Sequence, residues 1–333
     1  VLPEIEDKEV KMNSVNELLQ SSAEPSIRYL YQRDVLGKDP LTPEMQALQE
    51  EIRVSERVLK MLAPRGADGR FPWDAYTKWA GAFWTLLALV DLAYPPGDKG
   101  LAPLRDQVLD WLLSAKHLKN IRLIDGRWRR CALQEASVVL AMLQLGIVDD
   151  RITLLVESLL KWQWPDGGWN CDDTPGANHS SFHETWIPLL ALRAYADASG
   201  SPRVYEAVDR ASEVFLSHQL FKRKTDGAVM DEQFTRLAYP AYWHYDVLAG
   251  LRVMAAVDRI TDPRCAAALD LLESKRLPGG GFAADVKYYK VVDVVRKGSG
   301  LSLVDWGGTS KQKMNEFVTV HALAVLKKAG RII

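Results

Sequence analysis

Two kinds of hydrophobic pattern alternate along this 333-residue chain. Segments of the first kind are apolar on nearly every side: FWTLLALVDLA (83–93), ASVVLAMLQLG (136–146), TWIPLLALRAYA (185–196), YDVLAGLRVMAA (245–256) and VTVHALAVLKKAG (318–330). A helix that is greasy all round has to be buried, so these predict inner helices. Segments of the second kind, such as LRDQVLDWLLSAKHL (104–118), RITLLVESLLKWQW (151–164) and RVYEAVDRASEVFLSHQL (203–220), keep their charges on one face. That spacing predicts helices with one side in water. A glycine turn precedes each inner segment: ADGRF (67–71), IDGRW (124–128), PDGGW (165–169), TDGAV (225–229) and PGGGF (278–282). Asp-Gly and Pro-Gly pairs turn the chain because glycine accepts positive φ and aspartate bonds its own backbone.

The repeating unit is thus an amphipathic outer helix, a glycine loop and a buried inner helix. No segment carries sustained strand alternation. An open solenoid would leave the inner helices facing water on its concave side. The expected fold is therefore all-α and closed: a ring of helical hairpins, an α/α toroid, forming one domain over 1–333. N-terminal helices (26–37 and 42–63, within 1–63) lead into five hairpin repeats over 64–330. The mixed stretch 282–313 is long for a connection, and long connections carry function or move, so it reads as a flap over one mouth of the ring.

Composition narrows the function. Hydrophobic residues make up 47% and charged residues 26%, and the formal net charge is −1, so the basic excess of a nucleic-acid binder is missing. No apolar run reaches the roughly 20 residues that span a bilayer. The opening VLPEIEDKEVKMNS is acidic and polar, unlike a signal peptide. An odd count of three cysteines argues for a reducing, cytoplasmic setting rather than a disulfide framework. Eleven Trp and eleven Tyr are enough to line a core or a large apolar cavity.

The loop WQWPDGGWNCD followed by SSFHETWIPLLAL resembles the repeat of the terpene cyclase and protein prenyltransferase superfamily. The resemblance covers about 67–330 and is strongest over 162–192. It implies an α/α barrel with an aromatic-lined central cavity for isoprenoid chains, and the chain looks like single-toroid bacterial members of that superfamily. In such a barrel the inner helices run parallel, so their N-termini and the glycine loops share one end, favourable for anions.

The polar residues at that end are the candidates for chemistry. Asn170-Cys171-Asp172-Asp173 is the string nearest to the cyclase Asp-x-Asp-Asp proton donor, with Asp172 and Asp173 as its acids. Glu184 joins them as a third catalytic candidate, beside a helix in which Pro188 removes one backbone bond. Asp246 is the fourth, and Gln134-Glu135 offers a similar role. Prenyltransferases activate a thiol on zinc, and the resemblance implies a divalent metal, zinc, on Cys171, His183 and His244, with Cys131 as a further ligand. Tyr76, Trp79, Trp84, Trp186, Trp243 and Tyr245 lie near inner-helix starts, where their faces would cradle an apolar chain or a carbocation. Arg236, with Lys78, Arg129 and Arg130, would meet a diphosphate.

Two functions remain open on the sequence. One is an enzyme or binder acting on an isoprenoid or similar apolar molecule in the ring, classed as lyase, isomerase or transferase if active. The other is a non-catalytic toroid that binds a protein or peptide on its rim.

Overall fold

The computed structural model describes residues 14–332 except 297. The expectation that the opening stretch is no signal peptide falls largely on 1–13, outside the described residues. Residues 14–20 are helical. Next come α1 (Pro25–Leu30), which continues as a wide turn over Tyr31–Val35, then α2 (Pro43–Arg53) and α3 (Glu56–Leu62). The amphipathic segments form α5 (Ala102–Leu112), α8 (Ile152–Trp162), α10 (Pro202–Leu216) and α12 (Ala266–Ser274). The apolar ones form α4 (Ala82–Asp91), α7 (Leu133–Gln144), α9 (Phe182–Ser199), α11 (Val247–Ala256) and α13 (Glu316–Lys328). A short α6 (Ala115–Leu118) follows α5. Among the described residues the fold is all-α apart from two small strand pairs.

Those pairs are too short for the sustained strand alternation that the sequence lacks. The second glycine loop is a β-hairpin, β1 (Arg122–Ile124) against β2 (Arg127–Arg129). Asp125 and Gly126 both take positive φ (49° and 71°), the backbone that a two-residue hairpin turn requires. Three residues a side were too few to register as alternation. β3 (Lys290–Val291) and β4 (Leu301–Ser302) pair in parallel within the long 282–313 segment. The segment read as one helix over 42–63 is two. Ser55 breaks it, and its hydroxyl accepts from the Val58 N–H (3.3 Å) to cap α3.

The repeat is visible in hydrogen bonds. In three loops one backbone N–H reaches four residues ahead while the glycine three ahead donates back: Gly66/Gly69/Arg70, Trp164/Gly167/Gly168 and Leu277/Gly280/Gly281. In the last two of these the residue that leaves the loop is then latched to the next inner helix. Trp169 N–H donates to Thr185 Oγ1 (3.2 Å), and Phe282 N–H donates to Thr319 Oγ1 (2.9 Å).

Inner helices contact one another in succession: α4 with α7, α7 with α9, α9 with α11, α11 with α13, and α13 with α1 and its wide turn. Each outer helix packs on its own inner partner, as α5 does on α4 and α10 on α9. One continuous buried cluster runs from Val15 to Leu326. The 282–313 segment is stitched down at the inner-helix start of the first repeat. Trp79 N–H donates to Leu301 O (3.0 Å), Leu301 N–H to Lys78 O (3.1 Å), and Trp79 Nε1 to Tyr288 O (2.6 Å).

Candidate functional site

A cavity of about 600 Å³ lies among the inner helices and takes lining residues from all of them, including Leu30, Trp84, Leu140, Trp186, Arg252 and His321. That size suits a small organic molecule, for which pockets run from about 300 to 1,000 Å³. At one end Trp84, Trp186 and Tyr242 form an aromatic floor. Trp79 stacks on Tyr242 beneath it (3.9 Å between centroids, 10° apart) and meets Trp84 edge-on at 4.6 Å. At the other end the lining residues Gln144, Ala256 and Lys328 are exposed, and all three come from the last turns of their helices. The cavity therefore opens at helix C-termini. The sequence reading put the polar mouth at the N-termini instead. There, Ser302, Leu303, Val304 and Trp306 of the long segment pack with Trp79 and Tyr242.

Within the apolar wall sits a charged pair. Arg252 Nη2 donates to Asp91 Oδ1 at 2.7 Å. Burial opposes the Asp91 charge, but the Arg252 guanidinium holds its carboxyl below the usual range. His321 stands beside them, only 6% exposed, and burial with the Arg252 charge pushes its pKa down to about 3. These three residues escaped the sequence reading. A signal was present for two of them: Asp91 and Arg252 are the only charged residues in α4 and α11.

A second group lies where α7 and α9 begin. Asn170 O accepts from Arg130 N–H (3.2 Å), which sets the 170s loop alongside the end of β2. This brings Cys131 and Cys171 together, and Glu184 in the first turn of α9 meets them. Ligand atoms of the three residues all lie within 4.8 Å of one another. The Cys171 thiol donates to Glu184 Oε1 at 3.4 Å. Leu133 N–H reaches Glu184 Oε2 at 3.5 Å. Burial and the neighbouring Cys171 push the Glu184 carboxyl well up, and Cys131 and burial push the Cys171 thiol up. Glu184 and Cys171, pressed together there, must either keep their protons or share a cation. Arg130 does not supply that cation, because it forks onto Glu135 (3.0 and 3.2 Å) and touches His117. Two thiolates and a carboxylate are a donor set that suits a tetrahedral divalent ion and leaves a fourth position open.

His183 and His244, expected as ligands, lie outside this group. Successive residues on a helix point about 100° apart, so with Glu184 turned to the cysteines His183 turns away. Its Nδ1 accepts the Tyr245 N–H (2.9 Å). His244 is stacked between Trp243 and Tyr288, and burial lowers its pKa to about 4.

The other candidates are dispersed. Asp172 is exposed and accepts from Thr174 N–H (2.9 Å), and the Thr174 side chain together with that N–H lowers its pKa. Asp173 is exposed and pairs with Arg122 (3.0 Å). Asp172 lacks the burial that keeps a carboxylic acid protonated for proton donation. Asp246 is buried as the cap of α11, accepting from Ala249 N–H (2.8 Å) and Ala238 N–H (2.9 Å), and burial raises its pKa to about 6.

Trp84 and Trp186 do line the cavity. Tyr76 packs on Trp84 (5.2 Å) and Trp111, on the side facing the thiols. Tyr245 is core, with its hydroxyl donating to Leu220 O (2.8 Å). Trp243 stacks on His244, and its carbonyl accepts from Trp186 Nε1 (3.4 Å). Arg236 is exposed. Arg129 is buried, with Nη1 donating to Ala177 O (3.0 Å).

No protein-family profile matches this chain, and no curated protein matches it. Among the described residues, no helix is long and apolar enough to cross a membrane.

Proposed function

We propose that this chain is an α/α toroid that binds an apolar small molecule, of isoprenoid type, in its central cavity. The observation that carries the reading is the 600 Å³ cavity, walled by a side chain from every inner helix. The succession of inner-helix contacts from α4 round to α1 supports the ring. A toroid that worked only through its rim would fill its centre with its own Trp side chains. Here Trp84 and Trp186 form a floor and leave the space above them free.

The test is a titration with farnesene, a C15 isoprenoid hydrocarbon, followed by tryptophan fluorescence. Saturable binding is expected. Ala324→Phe, which places a ring in the cavity, should weaken it at least ~10-fold while leaving the melting temperature near that of the parent. No saturable binding, or equal binding by the filled variant, would refute the reading.

The same reading gives Cys131, Cys171 and Glu184 a zinc ion, since soft thiolates favour zinc over magnesium or calcium. These residues do not line the cavity. They sit behind Tyr76, so the ion ties α7 to α9 at the edge of the aromatic wall. Protein purified without an affinity tag should hold about one zinc per chain, and Cys171→Ser under about a fifth of that. Elemental analysis decides, and equal metal content in both proteins would remove the ion from this site.

A further inference from the structure

Cys131, just before α7, and Cys171, in the loop that leads to α9, are placed to react with each other. They come from neighbouring repeats, and backbone pairing sets their segments side by side. Arg129 and Asn170 form a parallel bridge, and Arg130 N–H donates to Asn170 O at 3.2 Å. Paired strands run about 4.8 Å apart, inside the roughly 4.4–6.8 Å that a disulfide spans between Cα atoms. The two sulfurs lie within 4.8 Å of each other. Closing them to a bond of about 2.05 Å asks for side-chain rotation, not for the movement of a helix.

Small solutes can reach both thiols. Each cysteine is half-buried, and Asp172 to Gly176, directly after Cys171, are all exposed. The third cysteine is a contrast within the same chain. Cys265 is buried beside the start of α12, where its thiol donates to Arg259 O at 3.5 Å. Thiol oxidation follows exposure and the nearness of a second thiol that can resolve the first product. Cys131 and Cys171 have both, and Cys265 lacks the exposure.

We propose that Cys131 and Cys171 form a reversible oxidation site that hydrogen peroxide closes to a disulfide. One thiol attacks a peroxide oxygen and the O–O bond breaks. A sulfenic acid forms on that sulfur, and the thiol proton leaves with the released hydroxide as water. The second thiol then attacks the sulfenic sulfur. The S–S bond forms, and the sulfenic oxygen leaves with the second proton as another water. The sulfur pair gives up two electrons, which reduce the peroxide. These are also the thiols assigned above to zinc, and a disulfide offers the ion no thiolate, so oxidation releases any ion held there. The inference itself needs only the spacing and exposure of the two thiols.

The test uses the whole chain, fully reduced and stripped of metal, then treated with a small molar excess of hydrogen peroxide. Thiols titrated in denaturant should fall from three per chain to about one, and an unreduced digest should hold the Cys131 and Cys171 peptides joined. Dithiothreitol should restore every thiol. In Cys171→Ser the sulfenic acid on Cys131 has no partner, and dimedone should capture it at least ~5-fold more than in the parent. Cys131→Ser should do the same for Cys171, and Cys265→Ser should cross-link as the parent does. Thiols that stay unoxidised, a bridge made through Cys265, or sulfinic acids at Cys131 and Cys171 without a bridge would overturn the proposal. A bridge in a protein that never held zinc removes the ion and leaves this site standing. Zinc held by a protein that forms no bridge does the reverse.

Discussion

Gly167→Ala should destabilise the protein by about 3–5 kcal/mol, while Gly126→Ala, at the same place in the neighbouring repeat, should cost only about 1–2 kcal/mol. Both glycines follow an aspartate and both take positive φ, 107° at Gly167 and 71° at Gly126. What differs is the neighbourhood. A Cβ on Gly167 would lie 2.2 Å from the Arg210 carbonyl oxygen and 2.7 Å from its carbon, which are backbone atoms of α10 and cannot swing aside. A Cβ on Gly126 meets nothing within 4 Å.

The third loop is pressed onto that outer helix by a side-chain clamp. Gln163 Nε2 donates both to Gly167 O (2.7 Å) and to Ala207 O (2.8 Å). The first loop uses the same device, with Gln107 Nε2 on Phe71 O and Trp73 O (2.9 Å each). The second loop instead stands out as the β1–β2 hairpin. Chemical denaturation at constant m reads the difference directly. Equal losses in the two variants would mean that the cost is conformational and that loop docking contributes nothing.

The contrast shows where sequence reading succeeds and where it stops. Glycine spacing and all-round apolarity were enough to locate the inner helices, because burial on every side leaves an unambiguous pattern. Which glycine bears a helix against it is a tertiary fact, and Asp-Gly reads alike in a docked loop and a free hairpin. The cluster of Cys131, Cys171 and Glu184 was legible only in part. Cys131 and Cys171 were legible because they flank glycine loops. The choice between His183 and Glu184 depended on the rotation of α9, where one residue of phase swaps the group facing the cysteines. Asp91, Arg252 and His321 were missed, although the single charges of α4 and α11 are conspicuous. They come from three different repeats, and only the packing of α4, α11 and α13 brings them together.

That trio supports the second large effect. Asp91→Ala should cost about 3 kcal/mol at pH 7, because it strands the Arg252 guanidinium in an apolar wall. The Asp91 and Arg252 side chains keep only 28% and 29% of their surface exposed, and both line the cavity. Arg252 cannot shed its charge, and no other acid is bonded to it among the described residues. Replacing both partners by apolar residues, as in Asp91→Leu with Arg252→Met, should recover most of the loss, since the pair's attraction largely offsets its own desolvation.

The pH dependence has a definite sign. Burial would raise the Asp91 pKa, but Arg252 and then His321 hold it below the ordinary value of 3.8. The stabilisation that Asp91 provides is therefore complete above about pH 4 and disappears as the pH falls through the folded-state value. The gap between wild type and Asp91→Ala should accordingly be constant from pH 5 to 7 and shrink toward pH 3. Denaturation midpoints over that range measure it. A gap that stays constant down to pH 3, or a double variant no more stable than Asp91→Ala, would show that the cost comes from lost packing rather than from the stranded charge.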